Sequence, residues 1–352
     1  ANCHLQAGRF VEAIQLYEQA ATGRARVLGD NHPLTLSTRN SLADAYESAG
    51  RRIEAIQLFE QVAAGRARVL GEDHPLTLST RNNLAYTYNA VGRLEEAIAL
   101  YEQVATDRAR VLGDNHPHTL NTRNSLADAY ESAGRLDEAI ALYEQVAEGQ
   151  TSVLGPDHPR TLATRHSLAY AYASAGRLDE AITLYEQVAQ DQARVLGKDH
   201  PRTLNTRNNL ASAYVSAERL DEAITLYEQV AQDQARVLGT DHPRTLTTLN
   251  NIAYTYRSVG RLPEAITLYE QVMKDQIRIL GDNHPGTYNT RRELADSYRE
   301  AGRTDESIAL YEQLLVSSQR VLGDDHPFTM AMCEELEDVR RELKQRDNPS
   351  AD

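Results

Sequence analysis

The sequence predicts an all-α fold, a right-handed superhelical solenoid of antiparallel helix pairs, and three observations carry that prediction. The stretch Arg177 to Gly197 (RLDEAITLYEQVAQDQARVLG) recurs letter for letter as Arg219 to Gly239, displaced by 42 residues. On that ruler a His-Pro pair recurs with its Pro at 33, 75, 117, 159, 201, 243, 285 and 327, each with a Gly four residues before and a Thr two residues after. Between these marks, apolar and small residues keep helical spacing. Units repeating at this period pack only on their neighbours, so the 352 residues count repeats and not a single core.

Taken in order, residues Ala1 to Gly8 match the second half of the segment ending at Gly50, so the chain is expected to start inside a repeat of something longer. Residues 1–33 then form a truncated first repeat holding only its second helix, about Phe10 to Leu28. Seven complete pairs follow over 34–327, the first helix of each (helix A) starting near 34, 76, 118, 160, 202, 244 and 286. In one such helix Leu204, Leu210, Ala211, Tyr214 and Ala217 form one stripe. Pro is tolerated in its first turn, and the Asp or Asn two residues earlier is expected to cap the free amides. A Gly at 50, 92, 134, 176, 260 or 302 closes helix A in the left-handed region; Glu218 takes that place once, at a cost of about 1 kcal/mol. The second helix (helix B) reads as Leu220 to Leu238, with Ala223, Tyr227, Val230 and Ala231 on one face. Asp221 and Glu222 at its start and Arg236 at its end suit the helix dipole. Residues 328–346 carry charge on most faces, as a terminal capping helix should, and 347–352 read as a disordered tail.

Composition narrows the function. The 51 acidic and 37 basic residues give a net charge of −14, which disfavours nucleic acid and anionic membranes and suits a basic partner. No apolar run approaches a membrane span. Cys3 and Cys333 stand at opposite ends of an extended array, too far apart to pair, which fits a reducing, cytoplasmic setting. No phosphate loop, nucleophile with its base, or paired Cys ligands occur, so neither an enzyme nor a cofactor is expected. The recurring histidines are one repeat apart, too far to converge on one metal ion, and read as turn residues.

The order Leu210, Ala211, Tyr214, Ala223, Tyr227, Val230 resembles the tetratricopeptide repeat, lengthened from 34 residues by eight (AQDQARVL in this unit). Placed at the end of helix B, those eight would make it longer than helix A by ~12 Å. With LGxDHPxT between units and NNLA in helix A, the long variant resembles the repeats of kinesin light chain, whose bacterial relatives form sensor arrays on NB-ARC-type signalling ATPases. Where that family places an aromatic early in helix A, this chain has Arg39, Arg81, Arg123, Arg165, Arg207, Leu249 and Arg291. These arginines are expected to pair with helix B glutamates such as Glu60, Glu102, Glu144, Glu186 and Glu228.

The resemblance implies a protein or extended peptide bound along the concave helix A face. The residues before the recurring Leu-Ala are Asn40, then Asn82 and Asn83, Asn124, Asn208 and Asn209, and Asn250 and Asn251. A carboxamide offers both a donor and an acceptor, so these residues can hold a peptide backbone; equally, they can bond between neighbouring A helices. Two residues after the Leu come Asp44, Tyr86, Asp128, Tyr170, Ser212, Tyr254 and Asp296, an alternation of charge and ring suited to a Lys or Arg side chain. A scaffold of this kind is the expected function, and end-to-end self-association of the array is the alternative.

Overall fold

The computed structural model describes residues 9–347; residues 1–8, with Cys3, and the tail at 348–352 lie outside the described residues. The chain divides into two compact units, Ala1–Arg177 and Leu178–Asp352. In the first, α1 (Phe10–Leu28), α2 (Pro33–Ser48), α3 (Arg52–Leu70), α4 (Pro75–Ala90), α5 (Leu94–Leu112), α6 (Pro117–Ser132), α7 (Leu136–Leu154) and α8 (Pro159–Ser174) each pack on the next. The second holds α9 (Leu178–Leu196), α10 (Pro201–Ser216), α11 (Leu220–Leu238), α12 (Pro243–Ser258), α13 (Leu262–Leu280), α14 (Pro285–Glu300), α15 (Thr304–Leu322) and α16 (Pro327–Asp347). Even-numbered helices are helix A and odd-numbered ones helix B. No strand occurs among the described residues, and no helix there is long and apolar enough to cross a membrane.

Each helix A starts at its proline, one residue before the expected start, because the preceding His is the cap. The Nδ1 of His74 accepts from the Leu76 amide at 3.1 Å, and the other seven His-Pro histidines do the same two residues on. The capping group is therefore the imidazole and not the Asp or Asn before it. An imidazole held this way fixes the entry to helix A, which accounts for its recurrence. The rest of the GxxHPxT motif closes the same turn. Thr77 Oγ1 donates to the Gly71 carbonyl at 2.9 Å, tying the first turn of α4 to the end of α3.

Helix B stops at a glycine such as Gly239, whose φ of 107° no side-chain-bearing residue adopts cheaply. Helix B spans 19 residues and helix A 16, a difference of about 4.5 Å and not ~12 Å. The eight-residue insertion is shared between the last turn of helix B, the connecting turn and the first turn of the next helix A.

Helix A ends in a Schellman turn: Arg93 N–H donates to Tyr88 O at 2.9 Å and Gly92 N–H to Asn89 O at 3.0 Å. The arginine that follows lies over the ring of the tyrosine it caps, 4.2 Å from its centre for Arg93 and Tyr88. Glu218 holds the glycine position with φ 59°. Glu218→Gly is expected to raise stability by about 1 kcal/mol, measured as a higher urea midpoint with an unchanged slope.

The core is a layer of small residues that lets helices approach, with one ring per helix B filling the gap. Ala97, Val104, Ala139 and Val146 are completely buried, and Phe59, Tyr101, Tyr143, Tyr185, Tyr269 and Tyr311 nearly so. In α16, Met332, Leu336 and Val339 pack with Tyr288 and Tyr311 while the charged residues face outward. Cys333 is a free, exposed thiol.

Candidate functional site

In the run Asn82-Asn83-Leu84-Ala85-Tyr86 of α4, the Leu and Ala are buried, both asparagines half-buried, and Tyr86 exposed. Positions 82 and 86 are one turn apart on the same face, so depth along this face is set by side-chain length. Asparagine stays between the helices, while tyrosine reaches past them.

The first asparagine of each pair is taken up by the next helix A. The Oδ1 atoms of Asn40, Asn82, Asn124, Asn208 and Asn250 accept from Thr80, Thr122, Thr164, Thr248 and Thr290 at between 2.8 and 3.0 Å. In α3 and α5 an arginine joins each junction. Arg66 Nη1 reaches Asn40 Oδ1 (3.2 Å), the Leu76 carbonyl (3.0 Å) and Thr80 Oγ1 (2.6 Å), and Arg108 repeats the set. Arg108 is buried without an ion pair, and burial pushes its pKa down.

The second asparagine is engaged as well. Asn83 Nδ2 donates to Asp44 Oδ1 at 3.1 Å, and Asn40 Nδ2 to the other oxygen at 3.0 Å. Asn251 lies beside the Tyr227 hydroxyl, whose pKa burial pushes up to about 12, and Asn209 is partnered too. Asp128 accepts from Asn124 Nδ2 and from the Tyr143 hydroxyl. Burial pushes the carboxyls of Asp44 and Asp128 above their ordinary value. Tyr86, Tyr170 and Tyr254 differ from all of these. They are 53%, 48% and 47% exposed, and their hydroxyls make no hydrogen bond.

Arg39, Arg81, Arg123, Arg207 and Arg291, early in helix A, do not pair with the helix B glutamates. Arg39, Arg81, Arg123 and Arg291 pair with Asp30, Glu72, Asp114 and Asp282 in the turn just before, nine residues back, and Arg207 pairs with Asp233. The glutamates are occupied by tyrosines of the next helix A: Tyr88 donates to Glu60 at 2.7 Å, and Tyr130, Tyr172, Tyr214 and Tyr256 do likewise to Glu102, Glu144, Glu186 and Glu228. Among the described residues no group of three His, Cys, Asp or Glu could hold a metal ion.

The family model described as tetratricopeptide repeat matches residues 1–66, 50–106, 81–151, 133–190, 168–232, 208–277 and 250–317. The chain belongs to the tetratricopeptide repeat family. The nearly identical TPR-like repeats of a Podosopora anserina protein described as a kinesin light chain are 40% identical to it, with a TM-score of 0.55, over 59% of this chain and 98% of that one. BtubC (BKLC) from P. vanneervenii is 20% identical over 66% of this chain and 94% of its own, with a TM-score of 0.57. Yeast Tom70 is 13% identical over 97% of this chain and 61% of its own, with a TM-score of 0.56. These last two likenesses are of fold alone. A search of curated proteins returned no match.

Within this tetratricopeptide array, reading the sequence missed the helix B residue that meets the asparagine junction. Its signal stands on the same ruler: Arg24, Arg66 and Arg108 give way to Gln150, Gln192, Gln234 and Gln276. A long polar residue kept on the inner side of an amphipathic helix must have partners there.

Proposed function

We propose that the chain is a non-catalytic scaffold that binds a protein or extended peptide along the concave face of its A helices, as the interaction or sensor part of a larger cytoplasmic signalling protein. The observation that supports this is the row of unemployed tyrosines. The asparagines are engaged in the fold, whereas Tyr86 and Tyr170 in the first unit and Tyr254 in the second present a rigid ring and a free hydroxyl to solvent. Such residues lose little entropy on binding and anchor interfaces. Asp44, before Tyr86, and Asp128, between Tyr86 and Tyr170, hold the same repeat position, and the net charge of −14 favours a basic partner.

The immobilised array, set beside a variant with Ala at Tyr86, Tyr170 and Tyr254, tests this in a pull-down followed by affinity measurement on the captured protein. Each anchoring tyrosine is expected to contribute about 2 kcal/mol to affinity. The Tm should stay unchanged because these rings leave the core intact. Equal retention by both arrays would remove the tyrosines from the site. A fall in Tm would place them in the packing.

End-to-end association is the second reading. Val11 and Val27 on α1, 67% and 75% exposed, favour it. Sedimentation that shows mass rising with concentration, and no rise after Val11→Ser with Val27→Ser, is the expected result on that reading; a monomer at every concentration removes it.

A further inference from the structure

Where helix B carries arginine, its guanidinium is surrounded by neutral acceptors. Arg108 reaches Asn82 Oδ1 at 3.3 Å, the His118 carbonyl at 3.2 Å, Thr122 Oγ1, and Ser79 Oγ at 3.4 Å. Displaced by 126 residues, the counterparts of those four are Asn208, Arg244, Thr248 and Asn205, and the counterpart of Arg108 itself is Gln234. All five line one cavity of about 100 Å³ between α10, α11 and α12.

Gln234 is 4% exposed, and its Oε1 has no hydrogen-bond partner. Gln192 at the same repeat position is met by Thr206 Oγ1 at 2.8 Å, whereas Gln234 is not met by Thr248, and its Oε1 adds an acceptor to the open space. The remaining acceptors keep their arrangement, with Thr248 Oγ1 3.0 Å from Asn208 Oδ1 and 3.2 Å from the Arg244 carbonyl. The same Arg-to-Gln exchange leaves Oε1 of Gln150 and Gln276 unpartnered as well. Gln234 Oε1 lacks a donor, Asn208 Oδ1 and the Arg244 carbonyl each keep a second lone pair beyond the Thr248 bond, and a planar group with donors on several edges can reach all three.

We propose that the cavity at Gln234 is a socket for an external guanidinium group, the side chain of an arginine in a bound chain, seated as Arg108 seats its own. A three-donor ammonium matches the planar arrangement less well, and the acceptors are those the fold already uses for a guanidinium three repeats away. Arg244 contributes its carbonyl oxygen; its own side chain is exposed and without an ion pair, and its charge opposes the incoming cation, which sets a direction for a variant. The inference does not rest on the tyrosine-lined face, since its probe is a small cation.

The test is a titration of the ¹⁵N-labelled chain with methylguanidinium chloride at constant ionic strength, following the side-chain amides of Asn205, Asn208 and Gln234. Saturable shifts at all three are expected. Binding should tighten about threefold in Arg244→Leu, which places at this position the residue found at 34 and 76. It should vanish in Gln234→Arg, where the chain's own guanidinium fills the space, and that variant should melt a few degrees higher. A response that never saturates, one matched by tetramethylammonium, or one that persists in folded Gln234→Arg overturns the proposal and leaves a cavity that holds only water. If Gln234→Arg does not fold, the socket is not arginine-shaped and the proposal falls with it.

Discussion

Tyr143→Ala is expected to lower the stability of the first unit by about 3–5 kcal/mol, read as a drop in the urea midpoint. The ring is 1% exposed and fills the gap left by alanines on the neighbouring turns. The α7 backbone, packed between α6 and α8, closes only partly over the hole. Its hydroxyl adds a separate contribution by donating to Asp128 and to Glu131 Oε2. Tyr143→Phe keeps the ring and should cost about 1–2 kcal/mol, because the half-buried Asp128 carboxylate keeps Asn124 but loses its second donor. For the related Asp44 the residue corresponding to Tyr143 is Phe59, and Asn83 serves the carboxylate; the residue corresponding to Asn83 for Asp128 is Ser167.

That difference has a pH signature. Burial raises the Asp128 pKa above its unfolded value, so folding gains stability as pH falls and loses it as pH rises through the raised pKa. The Tyr143 hydroxyl pulls the other way by favouring the carboxylate. Without it the pKa climbs further, and the deficit of Tyr143→Phe should shrink from pH 7 towards pH 4. A deficit independent of pH would show that the hydroxyl does not act through Asp128.

Arg108→Ala is expected to cost about 3 kcal/mol, from the buried stem it removes and the acceptors it leaves at Ser79 and His118. Arg108→Gln should recover most of that loss, since Gln150, Gln192, Gln234 and Gln276 hold the position elsewhere in the chain. Thermal melts of the two variants side by side decide the matter. If Gln does no better than Ala, the charge itself is what the α4, α5 and α6 junction needs. The asparagine junction should respond differently: Asn82→Ala leaves both Arg108 and Thr122 short of an acceptor, which makes it a stability mutation before it is a binding one.

The period, the helices and the turns of this protein are legible in the order of its residues. Gly71, His74, Pro75 and Thr77 act within a few residues of one another, and the stripe of Leu, Ala and Tyr is a property of one helix, so both are written in local spacing. Which polar groups are already occupied follows from how the helices pack. Asn82 and Thr122 are 40 residues apart, Asn82 and Arg108 26, and Tyr88 and Glu60 28, and each pair meets because of the rotation and separation of two packed helices. A repeat ruler shows that such residues recur together without showing that they touch. Arg81 thus turned to the acid nine residues behind it while the tyrosine took the glutamate, and the asparagines went into the stack while the tyrosines beside them stayed free. Helix-forming and capping energies are settled within one turn of backbone, whereas a side chain's partner is settled by distance across an interface, and that distance exists only once the helices have packed.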